Sequence, residues 1–186
     1  GAHYAELVLG IKNPRVGLLN IGAEPSKGTE LYQETWKQLE QLKAEQKLNF
    51  IGNVEGRNAV EGDADVIVAD GFTGNIFLKT MEGTAGYITK EIKRLFLKNT
   101  RTKAAALMVR GEIADFRRKF DYREVGGTAL LGIAKPVIKA HGSSDAFAFR
   151  SAVKQAVSYA EGRVTQRIES QLAAEAAVQT TLKEVE

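Results

Sequence analysis

The sequence predicts an α/β fold built on a mostly parallel sheet. Three observations lead there. Short apolar runs alternate with stretches of helical periodicity, in the order strand, helix, strand, short helix, strand, long helix. The strand-like runs are continuously apolar, as strands buried on both faces are. Each run also ends in polar residues: Asn20 after the first, Asn53 and Glu55 after the second, Asp70 after the third, Lys139 and His141 after the last. In open parallel sheets the ligand crevice lies outside the carboxyl ends of the strands, so these side chains are expected to converge on one site.

The elements follow in order. Residues 2–9 read as the end of a helix. Pro14 punctuates the chain before the strand Arg15–Asn20, and Gly22–Gly28 is a loop. From Thr29, Leu31, Thr35, Trp36, Leu39 and Leu42 fall at helical spacing up to about Lys47. Phe50-Ile51-Gly52 is a short strand ending near Asn53 to Glu55, and Asp65–Asp70 is the clearest strand. A long helix is expected from Asn75 to about Lys98, and residues 86–119 read as a protruding helical hairpin with an apolar tip at Ala104–Val109. Gly126-Gly127 opens a β-hairpin of Thr128–Ile133 and Val137–Ala140. A last helix covers about Ala146–Leu172, and the Ala- and Glu-rich tail 173–186 is expected to fray.

Three loops carry polar groups suited to chemistry. In Val137–Asp145 a buried strand is expected to empty into a loop with Lys139, His141, Gly142, Ser143, Ser144 and Asp145, followed by a helix. Backbone N–H groups of a Gly-Ser-Ser turn and the helix dipole attract anions, which points to a phosphate or carboxylate site with His141 placed for proton transfer. Alternatively Ser143 or Ser144 is an N-cap, Asp145 a first-turn acid and His141 a structural histidine. In Asp70-Gly71-Phe72-Thr73-Gly74-Asn75, Asn75 either caps the next helix or donates to a ligand oxygen, and Asp70 orients a cation or imidazole or accepts a backbone N–H. In Gly22–Thr29 the order of Lys27 and Gly28 is the reverse of the Walker pattern, which argues against a nucleoside triphosphate. Either Lys27 holds a phosphate at the helix start, or Thr29 or Ser26 caps the helix and Lys27 is solvated.

Composition narrows the function. The 186 residues contain no cysteine, which excludes disulfides, thiolate metal sites and a cysteine nucleophile and suits a cytoplasmic protein. No metal-ligand spacing and no G-x-G-x-x-G fingerprint occurs, and no cofactor is expected. The net charge of +3 is unevenly spread. Lys90–Lys119 holds ten Lys or Arg against Glu91, Glu112 and Asp115, a local +7 that leaves −4 elsewhere. Such a stretch is either a solvated helical face or a surface for an acidic protein, an anionic membrane or nucleic acid. Only Phe96 and Phe116 are aromatic there, so nucleic acid is not expected.

The phrases VGLLNIG, NFIGNVEGRN, ADVIVADGFTGNIFLKT and PVIKAHGSSDA, in this order, resemble the phosphate acyltransferase (PlsX) family of bacterial phospholipid synthesis. The resemblance runs to about residue 170. It implies a three-layer α/β/α architecture like that of isocitrate and isopropylmalate dehydrogenases, usually dimeric, in a cytoplasmic enzyme attached peripherally to the membrane. Family members are longer at the N-terminus, so residues 1–172 would be the C-terminal portion of one α/β domain. The implied reaction converts acyl-[acyl carrier protein] and inorganic phosphate to acyl phosphate and free carrier protein. This chemistry fits the loops read above, with phosphate expected at Lys27, Gly74, Asn75, Lys139, Gly142, Ser143, Ser144 and Asp145. The chemistry is expected of His141, Asn75, Lys27 and Asp70. The basic segment would meet the acidic carrier protein, and Leu107, Met108 and Val109, between Lys103 and Arg110, would meet the membrane surface or a homodimer partner. Two other readings stand beside this one: a phosphotransacetylase-like enzyme using coenzyme A, and a catalytically inert fragment that keeps carrier or membrane contacts.

Overall fold

The computed structural model describes the backbone of residues 1–119 and 121–183, with the side chains of all these except 117, 119, 122 and 175–183. The chain divides into two units, Gly1–Gly74 with Leu131–Pro136 and Val157–Glu186, and Asn75–Leu130 with Val137–Ala156.

The first unit holds α1 (Ala2–Leu9), β1 (Val16–Asn20), α2 (Glu30–Ala44), β2 (Phe50–Glu55), α3 (Gly56–Glu61) and β3 (Val66–Val68). The strands form one parallel sheet in the order β2-β1-β3. As the central strand, β1 buries Val16, Leu18 and Leu19 almost completely. On one face Leu18, Phe50 and Tyr32 form the core, with Trp36, Leu39, Leu48 and Val68 packed around them. Trp36 meets Phe50 edge-on at a centroid distance of 6.2 Å. The apolar spacing of α2 therefore places one helical stripe on the sheet. The register of β2 against β1 slips after Val16, which pairs with Phe50 while Gly17 pairs with Gly52. Ile51 is the extra residue, and Gly52 takes a φ of +97°, a conformation that favours glycine. Beyond the slip, Asn53 and Val54 are buried.

The second unit holds most of α4 (Gly71–Phe96), then α5 (Thr100–Met108), α6 (Arg110–Lys119), the single turn α7 (Tyr122–Val125), β4 (Gly127–Ala129), β5 (Ile138–Ala140) and the start of α8 (Ala146–Glu161). β4 and β5 pair antiparallel. They pack on α8 through small residues: a Cβ on Gly126 would stand 2.4 Å from Ala148 O and Ala152 N. Ala129, Ala148 and Ala152 are buried there. The last helix is α9 (Val164–Lys183), in the first unit, where Tyr4 stacks on Tyr159.

The α/β class and the parallel sheet stand as expected. Several boundaries are corrected. The third strand has three residues rather than six, and its side chains are only half buried because it lies at a sheet edge. α4 starts at Gly71, not Asn75. The two-helix reading of 86–119 gives way to three helices, since the apolar stretch 104–108 is itself helical. An Asn99–Thr102 capping box starts that helix: Thr102 N donates to Asn99 Oδ1, and Asn99 N to Thr102 Oγ1. The strand before His141 is not buried, Val137 and Lys139 being exposed, and it lies outside the parallel sheet. The last helix breaks at Gly162-Arg163, where Arg163 takes a φ of +48°. α9 then runs through the expected fraying point to Lys183, and 184–186 lie outside the described residues.

Candidate active site

The polar strand ends of the first unit serve mainly to shape its loops. Asn20 Nδ2 donates to Lys27 O and Asn20 Oδ1 accepts from Ile21 N. Asn53 Nδ2 donates to Glu24 O at 2.7 Å. These amides fasten the Gly22–Thr29 loop over the carboxyl ends of β1 and β2. Gly28 closes it with a φ of +88°, where a Cβ would lie 2.8 Å from Asn20 Oδ1 and Tyr32 Cβ. Thr29 occupies the N-cap position of α2 without a side-chain bond, and Gln33 Nε2 instead donates to Ser26 O and Gly28 O. Lys27 is exposed.

Asp70 caps α4. Its Oδ1 accepts from Phe72 N at 2.8 Å and Thr73 N at 2.9 Å, and its Oδ2 accepts from the Tyr32 hydroxyl. The Tyr32 bond, followed by those from Thr73 and Phe72, holds the Asp70 carboxyl well below the usual carboxylate range. The sequence reading offered Asn75 as this cap. The structure gives that role to Asp70 and places Asn75 inside the helix, with Gly74 in its first turn.

The second unit contains a cavity of about 580 Å³. Asn75, Leu78, Lys79 and Glu82 form its α4 wall, at the i, i+3, i+4, i+7 spacing of one helical face. Gly126, Gly127 and Thr128 of the β4 end, with Lys139, His141 and Gly142 of the β5 end, form the other wall. Four expected residues, Asn75, Lys139, His141 and Gly142, are thus brought together. Lys27, Asp70 and Gly74 belong to the other unit, and Ser143, Ser144 and Asp145 are not among the residues lining this cavity.

His141 is held at both ring nitrogens. Nε2 lies 3.2 Å from Lys79 Nζ, and Nδ1 lies 2.7 Å from Ser143 Oγ and 3.2 Å from Ser143 N. Lys79 Nζ also bonds Glu82 Oε2 at 2.7 Å. The turn spends N–H groups internally, Ser144 N donating to His141 O. The Ser144 N–H expected to face an anion is therefore turned inward, and the turn orients the imidazole.

Asp145, rather than either serine, caps α8, its Oδ1 accepting from Ala148 N at 2.8 Å. Its Oδ2 accepts from Arg123 Nη1 at 3.2 Å, and Arg123 also grips Asp121 through Nε and Nη2 at 2.8 and 2.6 Å. The Ala148 N–H, then Arg123, hold the Asp145 carboxyl below its ordinary value, while Asp121 and Asp145 push the Arg123 guanidinium up. With both oxygens engaged, Asp145 is an anchor for the loop.

The sequence matches the model of a family described as fatty acid synthesis protein over residues 1–167. The chain belongs to that family. Similar curated proteins named phosphate acyltransferase come from Lysinibacillus sphaericus (49% identical, 90% of this chain, 50% of the relative), Anoxybacillus flavithermus (49%, 93% and 51%) and Clostridium acetobutylicum (48%, 92% and 51%). The chain spans about half the length of these relatives. The family match includes the whole cavity and the basic helices. On α5 and just after it, Leu107, Met108 and Val109 are 74%, 85% and 38% exposed, and Lys103 and Arg110 flank them in solvent.

Lys79, Glu82 and Arg123 were missed in the sequence reading. Lys79 was findable: it stands four residues after Asn75 on a helix already expected, and hence on the same face. Arg123 had no comparable signal, because its partner Asp145 is 22 residues away in the chain.

Proposed function

We propose that this protein transfers an acyl group from acyl-[acyl carrier protein] to inorganic phosphate, and that the cavity around His141 binds the phosphate. One observation carries the reading: two cations, Lys79 and Lys139, share a cavity with an amide, Asn75, and an imidazole, His141. The name of the curated relatives, phosphate acyltransferase, agrees with it. A phosphate oxygen attacks the thioester carbonyl carbon, forming the new C–O bond. The C–S bond then breaks, and the carrier thiolate takes the proton that hydrogen phosphate gives up. Phosphate is a weak nucleophile unless it is positioned, and the cations and the amide of the cavity supply that positioning. Asn75 Nδ2 is the donor for the tetrahedral oxyanion, Lys139 attracts the phosphate, and His141 relays the proton. In the other unit, Lys27 is an exposed cation that does not line this cavity, and Asp70 fixes the first turn of α4.

The basic helices supply the carrier contact, since a carrier protein is acidic and the segment from Lys90 to Lys119 is strongly positive. Leu107, Met108 and Val109 supply peripheral contact with an anionic membrane surface. No helix among the described residues is long and apolar enough to cross a membrane. The enzyme works as a cytoplasmic homodimer.

The assay is phosphate-dependent release of free carrier protein from palmitoyl-acyl carrier protein, run on this chain and on a protein of the relatives' full length that contains it. His141→Ala, Asn75→Ala and Lys139→Ala are each expected to cut turnover by roughly 10²-fold or more, the scale for lost proton-transfer or oxyanion groups. Near-normal turnover in all three removes the site. Activity with acyl-coenzyme A alone replaces the carrier protein as donor.

A further inference from the structure

We propose that Lys79 is a positioning residue that selects the tautomer of His141. The imidazole stands between two conflicting sets of donors. Lys79 Nζ lies 3.2 Å from Nε2, while the Ser143 backbone N and hydroxyl lie 3.2 and 2.7 Å from Nδ1. A neutral imidazole accepts at one nitrogen and donates at the other. An ammonium has no lone pair, so the Lys79 contact requires a bare Nε2. The ring proton then sits on Nδ1 and is donated to Ser143 Oγ. The Ser143 backbone N–H also only donates, so its contact requires the opposite form, a bare Nδ1 and a proton on Nε2.

The charged donor wins this competition. Charge-assisted hydrogen bonds are roughly twice as strong as neutral ones. Glu82, one turn further along α4, holds the ammonium in position through its 2.7 Å ion pair. Without Lys79, the Ser143 N–H, which only donates, favours a bare Nδ1, and the tautomer inverts to Nε2–H.

The consequence for the reaction rests on the acyl-transfer reading, whereas the tautomer itself does not. While Lys79 donates to Nε2, that lone pair is occupied and His141 takes no proton. An incoming phosphate draws the Lys79 ammonium to itself and uncovers Nε2. The uncovered nitrogen accepts the proton of hydrogen phosphate as the C–O bond forms, then passes it to the departing carrier thiolate. His141 thus becomes a base only when the nucleophile is present.

The test uses the 186-residue chain, whose only other histidine is His3, assigned with His3→Gln. Long-range ¹⁵N–¹H correlation spectra at about pH 8, above the ordinary imidazole range, report which ring nitrogen carries the proton. The expected result is Nδ1–H in the parent and Lys79→Arg, and Nε2–H in Lys79→Met. The Lys79 side chain is 47% exposed, so the methionine leaves the core untouched. An Nε2–H parent, or the same tautomer in parent and Lys79→Met, overturns the proposal. Adding inorganic phosphate to the parent is expected to shift the Nε2 resonance, and no shift at saturating phosphate overturns the coupling. In the carrier-release assay, Lys79→Met is expected to lose more than tenfold in kcat, with partial rescue by Lys79→Arg. A switched tautomer with unchanged kcat overturns the positioning role. A switched tautomer in a protein that releases no carrier protein, whatever the variant, supports the tautomer selection and sinks the acyl-transfer reading instead.

Discussion

The Tyr32 hydroxyl donates to Asp70 Oδ2, and so ties the main aromatic of α2 to the carboxylate that starts α4. Tyr32 is itself part of the sheet core, so the acid is steered by a side chain with little freedom to move. A carboxyl held below its ordinary value contributes stability that is present above the unfolded value, about 3.9, and is lost as pH falls. Tyr32→Phe is expected to raise the Asp70 carboxyl toward that value and to lower Tm at neutral pH, with the deficit shrinking in acid. Carboxyl ¹³C titration of Asp70 checks it; an unmoved midpoint would show that the backbone donors alone hold the acid.

The Arg15–Asp65 pair gives a second pH dependence. Arg15 N and Nε donate to Asp65 Oδ2 at 2.8 and 3.0 Å, and Nη2 donates to Oδ1 at 2.9 Å. These bonds, the side-chain ones foremost, hold the Asp65 carboxyl at about 2. The pair's contribution is therefore complete above about pH 4 and gone below about pH 2. Asp65→Asn is expected to lower Tm at pH 7 and to make no difference near pH 2. Equal melting of parent and variant across the whole range contradicts this.

Gly126 is predicted to be intolerant of any side chain. Its φ is +79°, and an added Cβ would meet the backbone of α8, which cannot rotate away. Gly126→Ala combines a strained backbone with overpacking and is expected to cost about 3 kcal/mol or more. Gly83, inside α4 with nothing within 4 Å of its virtual Cβ, is the opposite case. Gly83→Ala is expected to stabilise by roughly 0.5–1 kcal/mol through helix propensity. Urea unfolding of both variants decides the matter, and similar midpoints for the two contradict the packing at Gly126.

Leu107 and Met108 carry the membrane reading. Leu107→Glu with Met108→Glu is expected to abolish flotation with anionic vesicles and to leave the far-UV spectrum unchanged, both residues being more than 70% exposed. Binding that persists in the double variant but vanishes at high salt would assign the contact to the lysines and arginines alone.

What the sequence revealed depended on how local the signal was. The continuous apolar runs of β1 and β2 marked the parallel sheet, whereas the helical face read on α2 was only partly right: Trp36 and Leu39 pack on the core, but Leu31 is 62% exposed and Tyr32, next to it, takes the buried place. Val66–Val68 seemed longer than it is, since apolarity cannot tell a strand from the residues that flank it. Asn75 was misplaced as a cap because Asp70 stands five residues earlier and its two N–H partners, Phe72 and Thr73, cannot be told from loop residues by type. The break at Arg163 left no pattern either, as a left-handed residue needs only one unusual φ. At the site, Asn75, Lys139, His141 and Gly142 were legible from motif positions. The imidazole's partners were only half legible: Ser143 is two residues away and visible, whereas Lys79 is 62 residues away and meets it only through the tertiary fold.

The sheet order β2-β1-β3 leaves both flanking strands with an outer edge to which no described strand is paired. Their outward N–H and C=O groups are a template on which any extended segment can add itself, including the same strand of a second molecule. Both backbone rims are therefore surfaces on which a further strand can be received. A peptide or domain that docks an additional strand there would act as a chaperone for the fold.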